Sequence, residues 1–195
     1  MDAGRISLRL LAASDQDLYC ELYTDAATMR FIGAPLPRKR ALRSFEKALQ
    51  LTHSCTDTMR HLVLAVIEKA TRRTIGICSI QQFDERLRCA EAGIILRPAM
   101  HARGIGKEAF AALITQGFAM LQIDEIRAHI AVDNSAAAGV LASLGFRRCD
   151  DAAAAAEGPQ KGGQRSSQES SQKSEQGSAQ QSAWSVARES WCRNP

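Results

Sequence analysis

From Glu91 to Lys107 the chain reads Glu-Ala-Gly-Ile-Ile-Leu-Arg-Pro-Ala-Met-His-Ala-Arg-Gly-Ile-Gly-Lys, an apolar run that passes through a glycine turn into a helix-forming segment. The chemistry this arrangement suits is anion binding. The first N–H groups of a helix have no partner within it and carry the positive end of its dipole, so a phosphate seated there is stabilised. Gly104 and Gly106 allow close approach to the backbone, and Arg103 and Lys107 add positive charge at the same end. The spacing is not that of a P-loop, because no GxxxxGK[ST] is present. Nor is it the dinucleotide fingerprint. That pattern needs a third glycine, a small residue where Lys107 stands, and an acidic residue after a second strand.

The elements that must hold this turn follow from hydrophobic periodicity. Ile6, Leu8 and Leu10 alternate with polar partners across Arg5 to Leu11, a half-buried strand. Ser14 and Asp15 supply helix N-cap chemistry before Leu18, Leu22 and Met29, and Pro35 and Pro37 then break the chain. A second helix runs from about Arg40 to Leu51, with Leu42, Phe45 and Leu49 on one side. His61–Ile67 and Thr74–Ile80 form a hairpin around the charged turn Glu68–Arg73, and Glu91–Leu96 is a further strand, ended by Pro98. Gly104–Leu121 is a long helix with Ala109, Leu113, Ile114 and Phe118 on one face. Ile126–Val132 alternates as a strand, and Asn134 and Ser135 open a short helix that stops at Gly145. Phe146 begins another strand.

Residues 151–182 hold an alanine run and then almost only Gln, Ser, Gly, Lys and Glu. Such a stretch cannot bury enough apolar surface to offset its ordering entropy, so it is expected to be disordered. Alternation returns at Ala183 and ends near Trp191, as a strand. Residues 1–150 and 183–195 are therefore expected to form a single domain, with 151–182 as a loop within it rather than the start of a loose tail. Closing such a loop costs only a few kcal/mol. The order β-α-α-β-β-β-α-β-α-β-β predicts an α/β class, an α+β mixed sheet with helices on both faces.

Composition bounds the partners. The chain of 195 residues is 45% hydrophobic and 24% charged, as expected for one globular domain plus a flexible piece. A net charge of +4 is too small to choose between nucleic acid and a polyanionic small molecule, and no nucleic-acid-binding motif is present, so nucleic acid is not expected. The six cysteines form no CxxC pair and sit near no histidine at ligand spacing, so no metal site is expected. Scattered thiols point to a reducing compartment, and the chain shows neither a signal peptide nor a run of roughly 20 apolar residues, so a cytoplasmic location and no membrane are expected.

The run His101-Ala-Arg-Gly104-Ile-Gly106 resembles the pyrophosphate-binding segment of the GNAT superfamily of N-acetyltransferases, whose pattern is Gln/Arg-x-x-Gly-x-Gly/Ala. Four further pieces, in the right order, resemble the branch typified by the ribosomal-protein alanine acetyltransferases RimJ and RimL. They are Ile6-Ser-Leu-Arg-Leu-Leu, Thr74-Ile-Gly-Ile, Asn134 through Leu141 to Phe146, and Ala183 to Trp191. The resemblance spans about residues 1–150 and 183–191. It implies a GNAT-like acyl-CoA N-acyltransferase fold, with acetyl-CoA as cosubstrate and an amine, small molecule or protein N-terminus, as acceptor. Either a monomer or a homodimer is compatible with it. The implied reaction is direct transfer in a ternary complex, with the pantetheine arm lying between two splayed strands. His101, Arg103, Gly104, Ile105, Gly106 and Lys107 would hold the pyrophosphate. Backbone N–H groups around Ile94, Ile95 and Leu96 would orient the thioester and stabilise its oxyanion.

Glu91 takes the position of the family's general base, with Asp84 and Glu85 as second choices on the preceding loop; it also reads as a solvated charge at a strand end. Asn134 would contact the pantetheine arm or an ordered water, a role compatible with a plain helix N-cap. Three positions depart from the family. His101 replaces Gln or Arg in the phosphate segment. Ala137 stands where this branch often has a serine, and Leu141 where other branches have a tyrosine, each proposed to protonate the leaving thiolate. No side-chain general acid is therefore evident, though Ser135 or solvent would serve. A non-catalytic module that binds acyl-CoA or a partner protein is the alternative.

Overall fold

The computed structural model describes residues 2–53, 61–84, 88–149 and 181–193. Its strands are β1 (Asp2–Ala3), β2 (Ile6–Leu10), β3 (His61–Glu68), β4 (Arg73–Asp84), β5 (Cys89–Leu96), β6 (Glu125–Ala131), β7 (Arg147–Arg148) and β8 (Gln181–Ala187). They form one sheet in the order β1-β2-β3-β4-β5-β6-β8-β7. β1 to β5 are successive antiparallel neighbours, β5 and β6 are parallel, and β8 lies antiparallel to both β6 and β7. This is the mixed sheet, with helices on both faces, that the order of elements in the sequence predicts.

Helices cover both faces. On one lie α1 (Gln16–Thr24), α2 (Ala26–Met29) and α3 (Arg38–His53), where Leu18, Tyr19, Leu22 and Phe45 pack on Ala65 and Ile77. On the other lie α4 (Ile105–Met120) and α5 (Ser135–Ser143), where Ala109, Phe110, Leu113, Ile114 and Leu141 join Leu64, Cys78 and Ile80. Because both faces are covered, the central strand β3 buries Leu64, Ala65 and Val66 in succession instead of alternating. Burial also pushes the Cys78 thiol pKa up, so this cysteine is a core residue, as its apolar setting in the sequence suggests.

One polar contact ties three elements together. Asp15, 2% exposed, takes a two-pronged ion pair from Arg9 at 2.7 Å on each oxygen, the Ala12 N–H at 2.9 Å and the Thr74 hydroxyl at 3.3 Å. Burial alone would raise its pKa; the Arg9 hydrogen bonds, the Ala12 N–H and the Arg9 charge outweigh that and hold it below the usual carboxylate value.

Several boundaries differ from the periodicity reading. β4 continues to Asp84 and β5 begins at Cys89, because Gln81 and Gln82 pair with Glu91 and Ala90 although their polarity hides the strand. α2 and β1 are too short to leave a periodic trace. The strand expected from Phe146 is only Arg147–Arg148, and Phe146 packs against Phe110 at 5.8 Å between ring centres. The closing strand ends at Ala187 rather than near Trp191, and α6 (Arg188–Cys192) follows. Arg188 leaves the sheet to donate to the carbonyls of Phe118, Leu121 and Ile123, in the last turn of α4 and just beyond it, at 2.5–2.8 Å. Gln181 and Ser182, assigned to the loop by composition, belong to β8. The remaining residues of that expected loop lie outside those described. No helix among the described residues is long and apolar enough to cross a membrane.

Candidate active site

β5 and β6 pair only at their starts, where Cys89, Ala90 and Glu91 lie opposite Glu125, Ile126 and Arg127. Beyond that point β5 runs on to Leu96 beside β4, and β6 runs on to Ala131 beside β8, without pairing to each other. The sheet forks. A cavity of about 430 Å³ occupies the fork, and its lining comes from both faces of the sheet. Ala92, Ile94, Ala128 and Ile130 belong to the α4 side, where Gly106 and Phe110 complete the wall. Glu91, Gly93, Ile95 and His129 alternate with them and belong to the α1 side, where Tyr23 and Phe31 close over. The cavity therefore passes through the sheet and joins two sides that are otherwise separated by it.

The glycine turn lies at the α4 end. Gly104 caps that helix with φ at 76°, the left-handed region that glycine enters without a side-chain clash, and Ala102 also has positive φ, 57°. The first backbone bond into α4 runs from the Glu108 N–H to the Gly104 carbonyl at 3.2 Å. The N–H groups of Gly104, Ile105, Gly106 and Lys107 find no acceptor among the described residues. A Cβ placed on Gly106 would meet only the Leu96 Cδ1, at an ordinary 3.6 Å, so the protein leaves that space open.

The turn is braced from outside. Arg5 donates to the Arg103 carbonyl at 2.8 Å and to Glu108 Oε1 at 2.8 Å, while its own N–H reaches Glu108 Oε2 at 3.0 Å. Those hydrogen bonds from Arg5 hold the Glu108 carboxyl below its ordinary pKa. Arg103 stands 3.8 Å from Glu68, and Lys107 is exposed. The His101 ring sits 3.2 Å from the Leu96 carbonyl and so ties the turn back to the end of β5. An anion at these N–H groups would lie at one mouth of the cavity, and the edge of β5 from Ile94 to Leu96 would lie along the route through it.

At the fork itself, Glu91 Oε1 lies 3.1 Å from His129 Nδ1. Asn134 lines the cavity and also caps α5, its Oδ1 accepting from the Ala137 N–H at 3.1 Å, so the two readings of that residue are compatible. Ala137 and Leu141 line the α5 wall. The structure thus gathers Glu91, Ile94, Ile95, Gly106 and Asn134 on one cavity, and sets His101, Arg103, Gly104, Ile105 and Lys107 in the adjoining turn. The side chain of Asp84, and Glu85 as a whole, lie outside the described residues. Sequence reasoning passed over His129, although it shares the outward parity of Arg127 in the alternating run from Ile126. It also passed over Tyr23, whose ring stacks on Tyr19 at 4.5 Å. Burial and the neighbouring Tyr19 push the Tyr23 phenol pKa up, so it stays protonated at neutral pH. Among the described residues no cluster of His, Cys, Asp or Glu could hold a metal ion.

Residues 5–147 match the family model of the acetyltransferase (GNAT) domain. The N-acetyltransferase p20 of Bacillus licheniformis is 25% identical over 145 residues, which cover 74% of this chain and 80% of the relative. The N-acetyltransferase YoaA of Bacillus subtilis is 20% identical over 148 residues, covering 76% and 82%. The spermidine N-acetyltransferase of Vibrio cholerae, in complex with CoA and spermine, superposes with a TM-score of 0.71 at 18% identity, covering 96% of this chain and 98% of that one. A GNAT-family acetyltransferase of Bacillus anthracis gives 0.68 at 16% identity, covering 96% and 98%.

Proposed function

The chain belongs to the acetyltransferase (GNAT) domain family, and on that premise we propose that it transfers an acetyl group from acetyl-CoA to a primary amine by direct attack in a ternary complex. The observation that carries the reading is the cavity through the forked sheet. It gives a cosubstrate one entrance beside a phosphate-binding turn and an acceptor a separate entrance on the α1 side. Two reactants that meet in the middle of a sheet are held face to face, and positioning of this kind contributes several kcal/mol to a bimolecular transfer.

In this reading the pyrophosphate sits on the N–H groups of Gly104 to Lys107, with Arg103 and Lys107 adding charge. The pantetheine arm follows β5, past Asn134, and the N–H groups of Ile94 and Leu96, which face the fork while that of Ile95 faces β4, receive the thioester oxygen as it becomes an oxyanion. The amine enters over Ile95 and Tyr23. Its nitrogen forms the new bond to the carbonyl carbon while the carbon–sulfur bond breaks. The ammonium sheds two protons in all: one passes to solvent by way of the group at Glu91, and the other balances the thiolate. With Ala137 and Leu141 at the α5 wall, no side chain there relays that second proton, which reaches the sulfur by way of water, as a thiolate leaving group tolerates.

The acceptor classes follow from the resemblances. The likeness to the RimJ and RimL branch supports a protein N-terminus, and the spermidine N-acetyltransferase neighbours support a small polyamine. The test is CoA release from acetyl-CoA over a panel of spermidine, an alanine-initiated peptide and simple alkyl and aryl monoamines, with the Glu91→Gln variant alongside. Removal of a general base or its partner is expected to lower kcat/KM by about 10²–10⁴ while CoA affinity stays within about twofold. Glu91→Gln turning over like the wild type would remove Glu91 from the mechanism, and CoA binding without release on any amine would favour a non-catalytic module.

A further inference from the structure

We propose that His129, rather than Glu91, is the group that takes the proton from the amine, and that Glu91 is the positioning carboxylate that holds its ring. The inference rests on the acetyltransferase reading above. Its basis is where the pair sits. Glu91 belongs to the last matched pair of β5 and β6, opposite Arg127. His129 lies two residues beyond that pair, on the same face as Arg127, where the strands have already parted. Its side chain reaches back across the mouth of the fork to place Nδ1 3.1 Å from Glu91 Oε1.

This contact fixes the chemistry of the ring. A neutral imidazole carries one N–H and one lone pair, and a carboxylate can only accept. Nδ1 must therefore carry the hydrogen donated to Glu91, which leaves the lone pair on Nε2. That nitrogen has no partner among the described residues, and His129 lines the cavity. A carboxylate that fixes a histidine tautomer and then balances the imidazolium is the arrangement by which a weak base becomes a competent one. Stability does not account for the pair. The side chains are 48% and 33% exposed, and an ion pair this open contributes at most about 1 kcal/mol.

The step balances without further reagents. Nε2 forms a bond to one ammonium hydrogen, the N–H electron pair returns to nitrogen as the nucleophilic lone pair, and His129 becomes an imidazolium facing Glu91. The imidazolium then returns the proton to water, to which its partly exposed ring has access. Other charges near the ring are few. Arg127, two residues earlier on the same face, is engaged by Glu125 at 3.1 Å. β8 brings Ala183 opposite His129, flanked by Ser182, and across the cavity α1 contributes the protonated phenol of Tyr23. Glu91 is thus the one anionic group that the described residues set against the imidazole.

The experiment compares wild type, His129→Gln and His129→Ala with the best acceptor of the amine panel. Gln keeps a hydrogen-bond donor for Glu91 but cannot take a proton. His129→Gln is expected to lower kcat/KM about 10²–10³-fold with CoA affinity and thermal stability unchanged. The acidic limb of the wild-type kcat/KM profile should be lost in the variant. Added imidazole should restore at least tenfold of the lost rate to His129→Ala and none to Glu91→Gln. If His129→Gln keeps kcat/KM within about threefold of the wild type, or retains the same acidic limb, Glu91 acts without it and the inference is wrong. A wild type that releases no CoA with any amine would overturn the acetyltransferase reading itself, a result distinguishable from an active wild type with an active His129→Gln.

Discussion

Replacing Gly106 by glutamate should stabilise the free protein and at the same time weaken its hold on CoA. Gly106 occupies the second position of α4, and a Cβ there would make only an ordinary 3.6 Å contact with Leu96. Glycine costs a helix about 0.8–1 kcal/mol relative to good helix formers, and an acidic residue in the first turn gains about 0.3–1 kcal/mol from the dipole. The sum is about 1–2 kcal/mol, or roughly 3–6 °C in melting temperature for a chain of this size. The effect on the cofactor has the opposite sign. A carboxylate about 4 Å from a phosphate charge is repelled by about 1 kcal/mol in water and about 4 kcal/mol near a protein surface. With two phosphate charges, and with part of the space filled, a loss of at least 2–3 kcal/mol is expected, which is about 30- to 150-fold in affinity. Gly106→Gln is the control of equal size. Calorimetric titration with CoA and melting without ligand together read both signs. CoA affinity for Gly106→Glu equal to that for Gly106→Gln would mean that no phosphate sits at this turn, whatever the turnover.

Further outcomes follow from the packing. Asp15→Asn should cost about 2–3 kcal/mol, reduced from the value for a fully buried pair because Arg9 is itself 38% exposed and water takes up part of the loss. Because the folded carboxyl is held below its ordinary value, its contribution is complete above about pH 4, the unfolded value, and disappears as pH falls through the folded pKa; urea midpoints at pH 7 and pH 3 should therefore differ less in Asp15→Asn than in the wild type. Gly76→Ala drives a Cβ against the Ile95 carbonyl and the Leu96 Cα, so β4 and β5 must part, at a cost of about 1–3 kcal/mol and with weaker CoA binding; an unchanged denaturation midpoint would show that the strands can shift freely. Replacing residues 150–180 by a four-residue Gly-Asn linker should raise stability by about 1–2 kcal/mol through shorter loop closure, since the Cys149 N–H already meets the Ala183 carbonyl at 2.9 Å. Loss of folding in that variant would mean that the segment is more than a tether.

What could be read in advance divides along physical lines. α4, β3 and the turn at Gly104 announced themselves because period, glycine placement and flanking charge agreed over many residues. The extension of β4 through Gln81 and Gln82 did not, because a partner strand supplies what their side chains do not advertise. Arg188 ended β8 through carbonyls contributed some 65–70 residues earlier, and no local pattern encodes such a bond. The candidate site shows the same split. Glycines and cations close in sequence were visible as a candidate phosphate turn, whereas the pairing of Glu91 with His129, 38 residues apart, required the register of two strands that meet briefly and separate.

The insertion of β8 between β6 and β7 also has a consequence for how the chain is made. Among the described residues β7 pairs only with β8, and β6 offers β8 its whole outer edge from Glu125 to Ala131. A ribosome delivers β6 and β7 well before β8, so during that interval the nascent sheet ends in an exposed edge rich in isoleucine and alanine, and β7 has nothing to lie against. Such an edge is a template for another chain. The vulnerable moment in the life of this protein is therefore the interval before β8 is made and docked, and overexpression that prolongs that interval should yield aggregates seeded at β6.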